Sequence, residues 1–395
     1  MHSDETGIAD REFKRILLIK LSAFGDVIHT IALMNALRRR YPGAQIDWLL
    51  KPSVAEFIRH HPGVSNVLVY GENQTEVPQY NWDGFTHFVR LMNDSKFVQL
   101  LKALRATKYD LVVDVHGQMR TGFVTRLTGA PVRIGFDRPR REIWEQAEKE
   151  LPPGTVQRAW KGAREGSWMA YTHHIRLDTL DRHAVDRYLR VGTLLGFEPE
   201  ADFQFPIPPD ARARIDAILL GRGVPNNAKP IVLSPAALWE TKRWQPDGYS
   251  AVARHFLAAA YPVVVIGSDT ERDECRRIEE GAPGVINIAG ETSLIELAAL
   301  ISRSAICLTN DSGPMHLAAA LGIPVLGVFG PTHSRWVGPY GQSTATLNAG
   351  QACSPCYLRD LKRCGYDHSC MSAIAPGHVI ERMEEVLRAA GSQKR

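Results

Sequence analysis

The stretch Arg15-Ile-Leu-Leu-Ile-Lys20-Leu-Ser-Ala-Phe-Gly25-Asp26-Val-Ile-His29-Thr30 decides the fold. Ile16 to Ile19 is a short, β-branched apolar run that reads as a buried strand. Residues 22–26 follow as a loop. Val27 to Tyr41 then reads as a helix, closed by Pro42-Gly43. That order of strand, short loop and helix repeats along the chain. Further strands read at 45–50, 66–70, 110–115 and 132–136, with a helix at 95–108. Residues 139–181 break the rhythm. They are rich in Arg, Lys, Glu and Trp and contain Pro152-Pro153, and a long excursion of this kind is a common place for a substrate loop. A helix at 184–195 stops at Gly196, and Pro206 to Pro209 reads as a linker. The rhythm restarts with strands at 230–234, 262–266, 285–288, 305–309 and 324–329. Helices at 248–260, 271–280, 293–302 and 314–321 lie between them. Strands alternating with helices at this spacing imply parallel sheets, so the fold class is α/β with two doubly wound, Rossmann-like domains. Ligands of such sheets bind at the carboxyl ends of the strands, and two facing units would enclose a central cleft.

Length and composition agree with this reading. A chain of 395 residues suggests two domains at roughly 100–200 residues each. A hydrophobic share of 44% with 23% charged residues excludes collagen-like, coiled-coil and disordered classes. The 47 Lys and Arg against 43 Asp and Glu give a net charge of +4. That suits an anionic small molecule or a lipid surface and falls short of a nucleic-acid binder. No segment has the apolar length of a membrane span, and Met1 to Phe13 lacks the apolar core of a signal peptide. The expectation is a cytoplasmic protein, with peripheral contact at the inner membrane left open and a disordered tail at 1–13.

Five motifs carry candidate chemistry. Asp26 lies between the first strand and the first helix, where a carboxylate either deprotonates a hydroxyl nucleophile or caps the helix. Asn310-Asp311-Ser312-Gly313-Pro314-Met315-His316 turns from a strand into a helix whose N-terminus suits a diphosphate. In the alternative, Asp311 or Ser312 is an N-cap and His316 a half-buried helix residue. Lys242 and Arg243 in Thr241-Lys-Arg-Trp244 follow a strand, where they neutralise phosphate oxygens or form a solvated basic turn. Glu271, in the loop after another strand, accepts from a sugar hydroxyl or favours a helix start. The fifth motif is Cys353, Cys356, Cys364 and Cys370, with the count and spacing of an all-thiolate site for zinc or iron. A disulfide pair or free thiols are the alternatives.

Together these motifs resemble the family 9 glycosyltransferases, the ADP-heptose:lipopolysaccharide heptosyltransferases. The signatures are residues 19–30, 241–244, 310–322 and Phe-Gly-Pro-Thr at 329–332. Asp114-Val-His-Gly117 and His183-Ala-Val-Asp-Arg187 accompany them. The resemblance implies a GT-B fold. An acceptor-binding domain would span 14–205, with the excursion 139–181 as its insert. A nucleotide-sugar-binding domain would span 206–375 and hold the cysteine cluster. The helix at 376–395 would pack back on the N-terminal domain. The resemblance further implies an inverting transfer of heptose from ADP-heptose to a Kdo or heptose hydroxyl of the lipopolysaccharide inner core, without a catalytic metal. Asp26 would be the base. Lys242, Arg243, Glu271, Asp311, Ser312, Gly313 and His316 would bind the donor. His29, Arg120 and Arg138 would meet the acceptor. In the excursion, Arg140, Arg141, Arg158, Lys161 and Arg164 would face anionic core sugars or lipid phosphates, or form a solvated basic surface.

The cysteine-rich segment resembles that of family members that modify autotransporter proteins, where cysteines hold iron. This resemblance implies a structural zinc or iron site away from catalysis. The rival readings are a family 9 transferase with another nucleotide sugar or a protein acceptor, a hydrolysing nucleotide-sugar epimerase of the same fold, and a metal-stapled scaffold whose transferase site has decayed. The epimerase would need a second acid–base group that the spacing does not show. Asp26, Lys242 and the Asp311 turn occurring together argue against decay.

Overall fold

The computed structural model describes residues 7–71, 94–160, 162–198, 200–342 and 344–392. Its contacts divide the chain into two units. The first comprises residues up to Ile143, Lys161–Leu180 and Val185–Pro206. The second comprises Trp144–Trp160, Asp181–Ala184 and Ile207 onward.

The first unit is a sheet of β1 (Arg15–Ile19), β2 (Gln45–Leu50), β3 (Asn66–Val69), β4 (Leu111–Asp114), β5 (Val132–Phe136) and β6 (His173–Ile175). Its order is β3-β2-β1-β4-β5-β6, and its pairings are parallel. Ile16 sits between Ile46 on one side and Leu111 on the other. Ile16 to Ile19 are fully buried, as a β-branched run covered on both faces must be. Leu17, Ile19, Tyr70, Phe97 and Val112 belong to one apolar cluster of this unit.

The second unit repeats the plan with β7 (Ile231–Ser234), β8 (Val263–Val265), β9 (Ile286–Asn287), β10 (Ile306–Asn310), β11 (Val325–Phe329) and β12 (Thr346–Asn348). Its parallel order is β12-β11-β10-β7-β8-β9. Counted from its own first strand, this is the same topology as the first unit. In both sheets the winding reverses between the first and fourth strands, β1 and β4 in one and β7 and β10 in the other. That reversal leaves a crevice at the carboxyl ends of those strands.

Several expectations need correction. Ile8 and Phe13 are buried, and Phe13 meets Tyr41 edge to face with ring centroids 5.6 Å apart. Residues 7–13 are therefore packed, and residues 1–6 lie outside the described residues. The excursion is divided: Trp144–Trp160 groups with the second unit and residues 162–180 with the first. The C-terminal helix, Pro376–Ser392, places Val379 and Met383 in the core of the second unit beside Trp244, Tyr249 and Phe256. These two residues form an i, i+4 apolar pair on the helix.

Trp244 is fully buried and lies over Gly248, on the helix Pro246–Ala258 that it precedes. A Cβ on Gly248 would come within 2.4 Å of the Trp244 ring. Gly248→Ala should therefore cost about 1–3 kcal/mol through overpacking. A lower unfolding midpoint in denaturant with an unchanged slope would show this. An unchanged midpoint would mean that the helix shifts to make room.

Candidate active site

Each reversal point carries a polar cluster. In the first unit the cluster grows from the carboxyl ends of β1 and β4. Asp26 lies in the first turn of the helix Phe24–Arg40. Its Oδ2 accepts from the Ala23 backbone N–H at 3.3 Å, and its Oδ1 accepts from the Tyr188 hydroxyl at 3.0 Å. One carboxylate therefore closes the helix start and also faces a second element. Its side chain stays 44% exposed, open to a substrate hydroxyl. Lys20 is buried and donates to the Tyr188 hydroxyl at 2.7 Å and to the Val115 carbonyl at 3.3 Å. Its Nζ lies 3.7 Å from Asp26 Oδ1. Burial pulls the Lys20 ammonium down from its usual range, against the charges of Asp26 and Asp114.

Asp114 ends β4 and is fully buried. It accepts from the backbone N–H groups of His116 and Gly117 and from the Tyr171 hydroxyl at 2.9 Å. It thereby fixes the loop that carries His116. Burial, with the charges of Lys20 and Arg120, pushes His116 well below its usual range, so the imidazole is neutral at pH 7. A neutral ring nitrogen can accept from Arg120, whose guanidinium lies 3.2 Å away.

The expected acceptor contacts are not brought together equally. Arg120 is half-buried in the cluster, and its Nε is buried without a hydrogen-bond partner among the described residues. Arg138 is exposed beyond β5. His29 is only 3% exposed, on the buried face of its helix, which leaves an acceptor little access to it. Arg140 pairs with Asp137 at 3.1 Å, Arg158 donates to the Cys356 carbonyl at 2.9 Å, and Lys161 lies outside the described residues.

In the second unit the cluster forms where β7 and β10 end. Asp311 is buried and pairs with Lys242 at 2.6 Å. It also accepts from the Thr332 hydroxyl at 2.6 Å, and His316 Nε2 lies 3.7 Å from its other oxygen. Burial alone would raise the Asp311 carboxyl. The Lys242 and His316 charges and the hydrogen bonds from Lys242 and Thr332 outweigh it and hold the carboxyl below its usual range. The Lys242 ammonium also lies 4.3 Å from the Trp239 ring centroid.

The helix Gly313–Ala320 starts beside this pair. Ser312 is its N-cap residue, yet no side chain caps the first turn. The Ser312 hydroxyl is buried without a hydrogen-bond partner among the described residues. This is an open positive helix end next to a fixed lysine, the arrangement that binds phosphate. Two other expected donor contacts have local work. Arg243 pairs with Glu274 at 3.4 Å and donates to the Ala237 carbonyl. Glu271 accepts from the Ser268 N–H at 2.7 Å in a capping box.

Residues outside the expected set complete the cluster. Asn310 accepts from the Trp244 N–H at 3.1 Å and donates to the Pro235 carbonyl, so it ties the β7 and β10 loops together. Its place at the head of the 310–322 signature was the available signal. The cysteine-rich segment braces the Lys242 loop. The Thr241 hydroxyl donates to the Leu358 carbonyl at 2.6 Å, His368 Nε2 lies 2.7 Å from the Thr241 carbonyl, and the Arg359 guanidinium stacks 4.7 Å from the Trp239 centroid. Cys353, Cys356, Cys364 and Cys370 line one cavity of about 90 Å³. Burial and the other three cysteines push the Cys370 thiol up to about 12. Among the described residues, no three His, Cys, Asp or Glu side chains already stand as a set that could hold a metal ion. No described helix is long and apolar enough to cross a membrane.

Comparison with known proteins adds the family. The family model described as "Glycosyltransferase family 9 (heptosyltransferase)" matches residues 97–160 and 153–363. A lipopolysaccharide heptosyltransferase 1 from Pseudomonas aeruginosa is 27% identical over 391 residues, which cover 95% of this chain and 98% of the relative. The crystal structure of the family 9 glycosyl transferase from Veillonella parvula is similar at a TM-score of 0.74 and 20% identity, covering 98% of this chain and 100% of that one. The E. coli heptosyltransferase WaaC, solved with ADP, is similar at a TM-score of 0.64 and 21% identity, covering 94% and 99%. The two parallel sheets with flanking helices match the GT-B fold of these structures. The chain is a glycosyltransferase and belongs to glycosyltransferase family 9 (heptosyltransferase).

Proposed function

We propose that this enzyme transfers heptose from ADP-heptose to a Kdo or heptose hydroxyl of the lipopolysaccharide inner core, with inversion at the anomeric carbon. The observation that carries the reading is the uncapped helix start at Ser312 beside the Lys242–Asp311 pair, in a chain whose relatives are named lipopolysaccharide heptosyltransferases. Asp26 takes the proton of the acceptor hydroxyl as its oxygen attacks the anomeric carbon, and ADP leaves. Asp311 engages one Lys242 proton, so the others can meet diphosphate oxygens. The positive end of the 313–320 helix dipole and the Ser312 hydroxyl would stabilise the charge that grows on the leaving group. The family likeness supports a cytoplasmic enzyme acting on a lipid-linked acceptor at the inner membrane.

The cysteine cluster is proposed to hold one structural zinc or iron ion through Cys353, Cys356, Cys364 and Cys370. Their common cavity supports this. Binding would draw the thiols inward as thiolates, and the ion would stiffen the segment that braces Lys242.

Four outcomes test this reading. Asp26→Asn should bind ADP as the wild type does in calorimetry while transfer falls at least about 100-fold. Near-wild-type turnover would remove Asp26 as the base. Lys242→Ala should weaken ADP binding by at least about tenfold and destabilise the chain by about 3 kcal/mol, because it strands a buried carboxylate. Because the Asp311 carboxyl is held low when folded, its contribution to stability should be complete at neutral pH. It should fade only as pH falls through and below the usual carboxylate range. Elemental analysis of purified protein should find about one zinc or iron per chain, and less than about 0.2 per chain would overturn the metal proposal.

A further inference from the structure

Asp26 is not alone at its sheet end. Tyr188 belongs to the helix Ala184–Leu189, which the chain reaches long after β1, yet its hydroxyl stands between Lys20 and Asp26. Lys20 is buried at 6% exposure, and its ammonium also lies 4.7 Å from the Tyr188 ring centroid. A buried lysine that served only packing would be replaceable by an apolar side chain at no electrostatic cost. Here it directs its proton at a hydroxyl that donates to the Asp26 carboxylate.

We propose that Lys20 and Tyr188 are a positioning pair that keeps Asp26 ionised and aimed at the acceptor hydroxyl. Tyr188 fixes Oδ1 by its hydrogen bond, and Lys20 fixes the Tyr188 hydroxyl in the donating orientation by occupying its lone pair. The Lys20 charge, 3.7 Å from Oδ1, favours the carboxylate over the carboxylic acid. When the acceptor proton reaches Asp26, that favourable interaction weakens, and the same pair then helps release the proton to solvent through the exposed side of the carboxylate. The inference rests on Asp26 being the base.

Other charged groups reach this cluster. His116 senses Asp26, while Arg164 and Arg187 act on Lys20 and Tyr188, and Asp114 acts on Lys20. All of these stay in place in the variants below.

The test measures heptose transfer from ADP-heptose to a Kdo-terminated lipid core across about pH 5 to 9, with full-length Tyr188→Phe, Lys20→Met, Lys20→Arg and Asp26→Asn. Tyr188→Phe keeps the ring and removes the hydroxyl. Lys20→Arg keeps the charge. Tyr188→Phe and Lys20→Met should lower kcat about 10- to 100-fold and leave ADP affinity within about threefold. They should also move the acid limb of kcat/KM up by about one pH unit. Lys20→Arg should restore the limb. If Lys20→Met does not fold, Tyr188→Phe and Lys20→Arg decide. An unmoved limb in Tyr188→Phe, whatever its kcat, would overturn the proposal, since a structural role would not touch the pH profile. An active Asp26→Asn would instead remove the base assignment itself. An inactive Asp26→Asn beside an unmoved limb would remove only this pair.

Discussion

A parallel sheet that winds outward from its centre in both directions has one place where neighbouring connections leave to opposite sides. No helix can cover the carboxyl ends of the strands at that place. This chain meets that constraint twice, between β1 and β4 and between β7 and β10. Lys20 and Asp26 follow β1, and His116 and Arg120 follow β4. Lys242 follows β7, and Asp311 follows β10. These charged groups therefore sit where the topology leaves the backbone open, and the apolar runs Ile16 to Ile19 and Ile231 to Leu233 hold those openings in place.

The same electrostatic device appears in both units. A lysine that is mostly shielded from water is set against a carboxylate: Lys20 with Asp26, and Lys242 with Asp311. The difference lies in which partner stays open. Asp26 is 44% exposed beside a buried lysine, so the carboxylate can meet a substrate. Asp311 is 4% exposed, and the less buried Lys242 carries the free protons. One pairing leaves a carboxylate open and the other leaves the ammonium as the more exposed partner. The Thr332 hydroxyl, just after β11, holds Asp311, Asn310 at the end of β10 ties the Trp244 N–H to the Pro235 carbonyl after β7, and the segment 353–370 braces the Lys242 loop through Thr241.

Much of this was legible in the sequence because burial on both faces of a parallel strand leaves an apolar run that periodicity detects. The edge strands β6 and β12 escaped detection: His173–Ile175 and Thr346–Asn348 are three residues each and only partly apolar. Asp26 read as either cap or base, and a carboxylate with two oxygens serves the helix with one and faces Tyr188 with the other. Tyr188 itself was invisible, since 162 residues separate it from Asp26 and no local pattern links them. Arg243 and Glu271 matched by position, but Glu274 and Ser268 claim them locally, a competition that spacing does not record. The division of the excursion at 160 was equally unreadable, because it follows from packing and not from composition.

Heptose transfer from an adenine nucleotide is tested most directly by a mass-spectrometric donor screen of the purified enzyme with ADP-heptose, ADP-glucose and UDP-sugars against Kdo- and heptose-terminated lipid cores. ADP-heptose alone should add a single heptosyl residue to a core acceptor and release ADP. Transfer from a UDP-sugar, or no transfer from ADP-heptose to either core, would contradict heptose transfer from an adenine nucleotide.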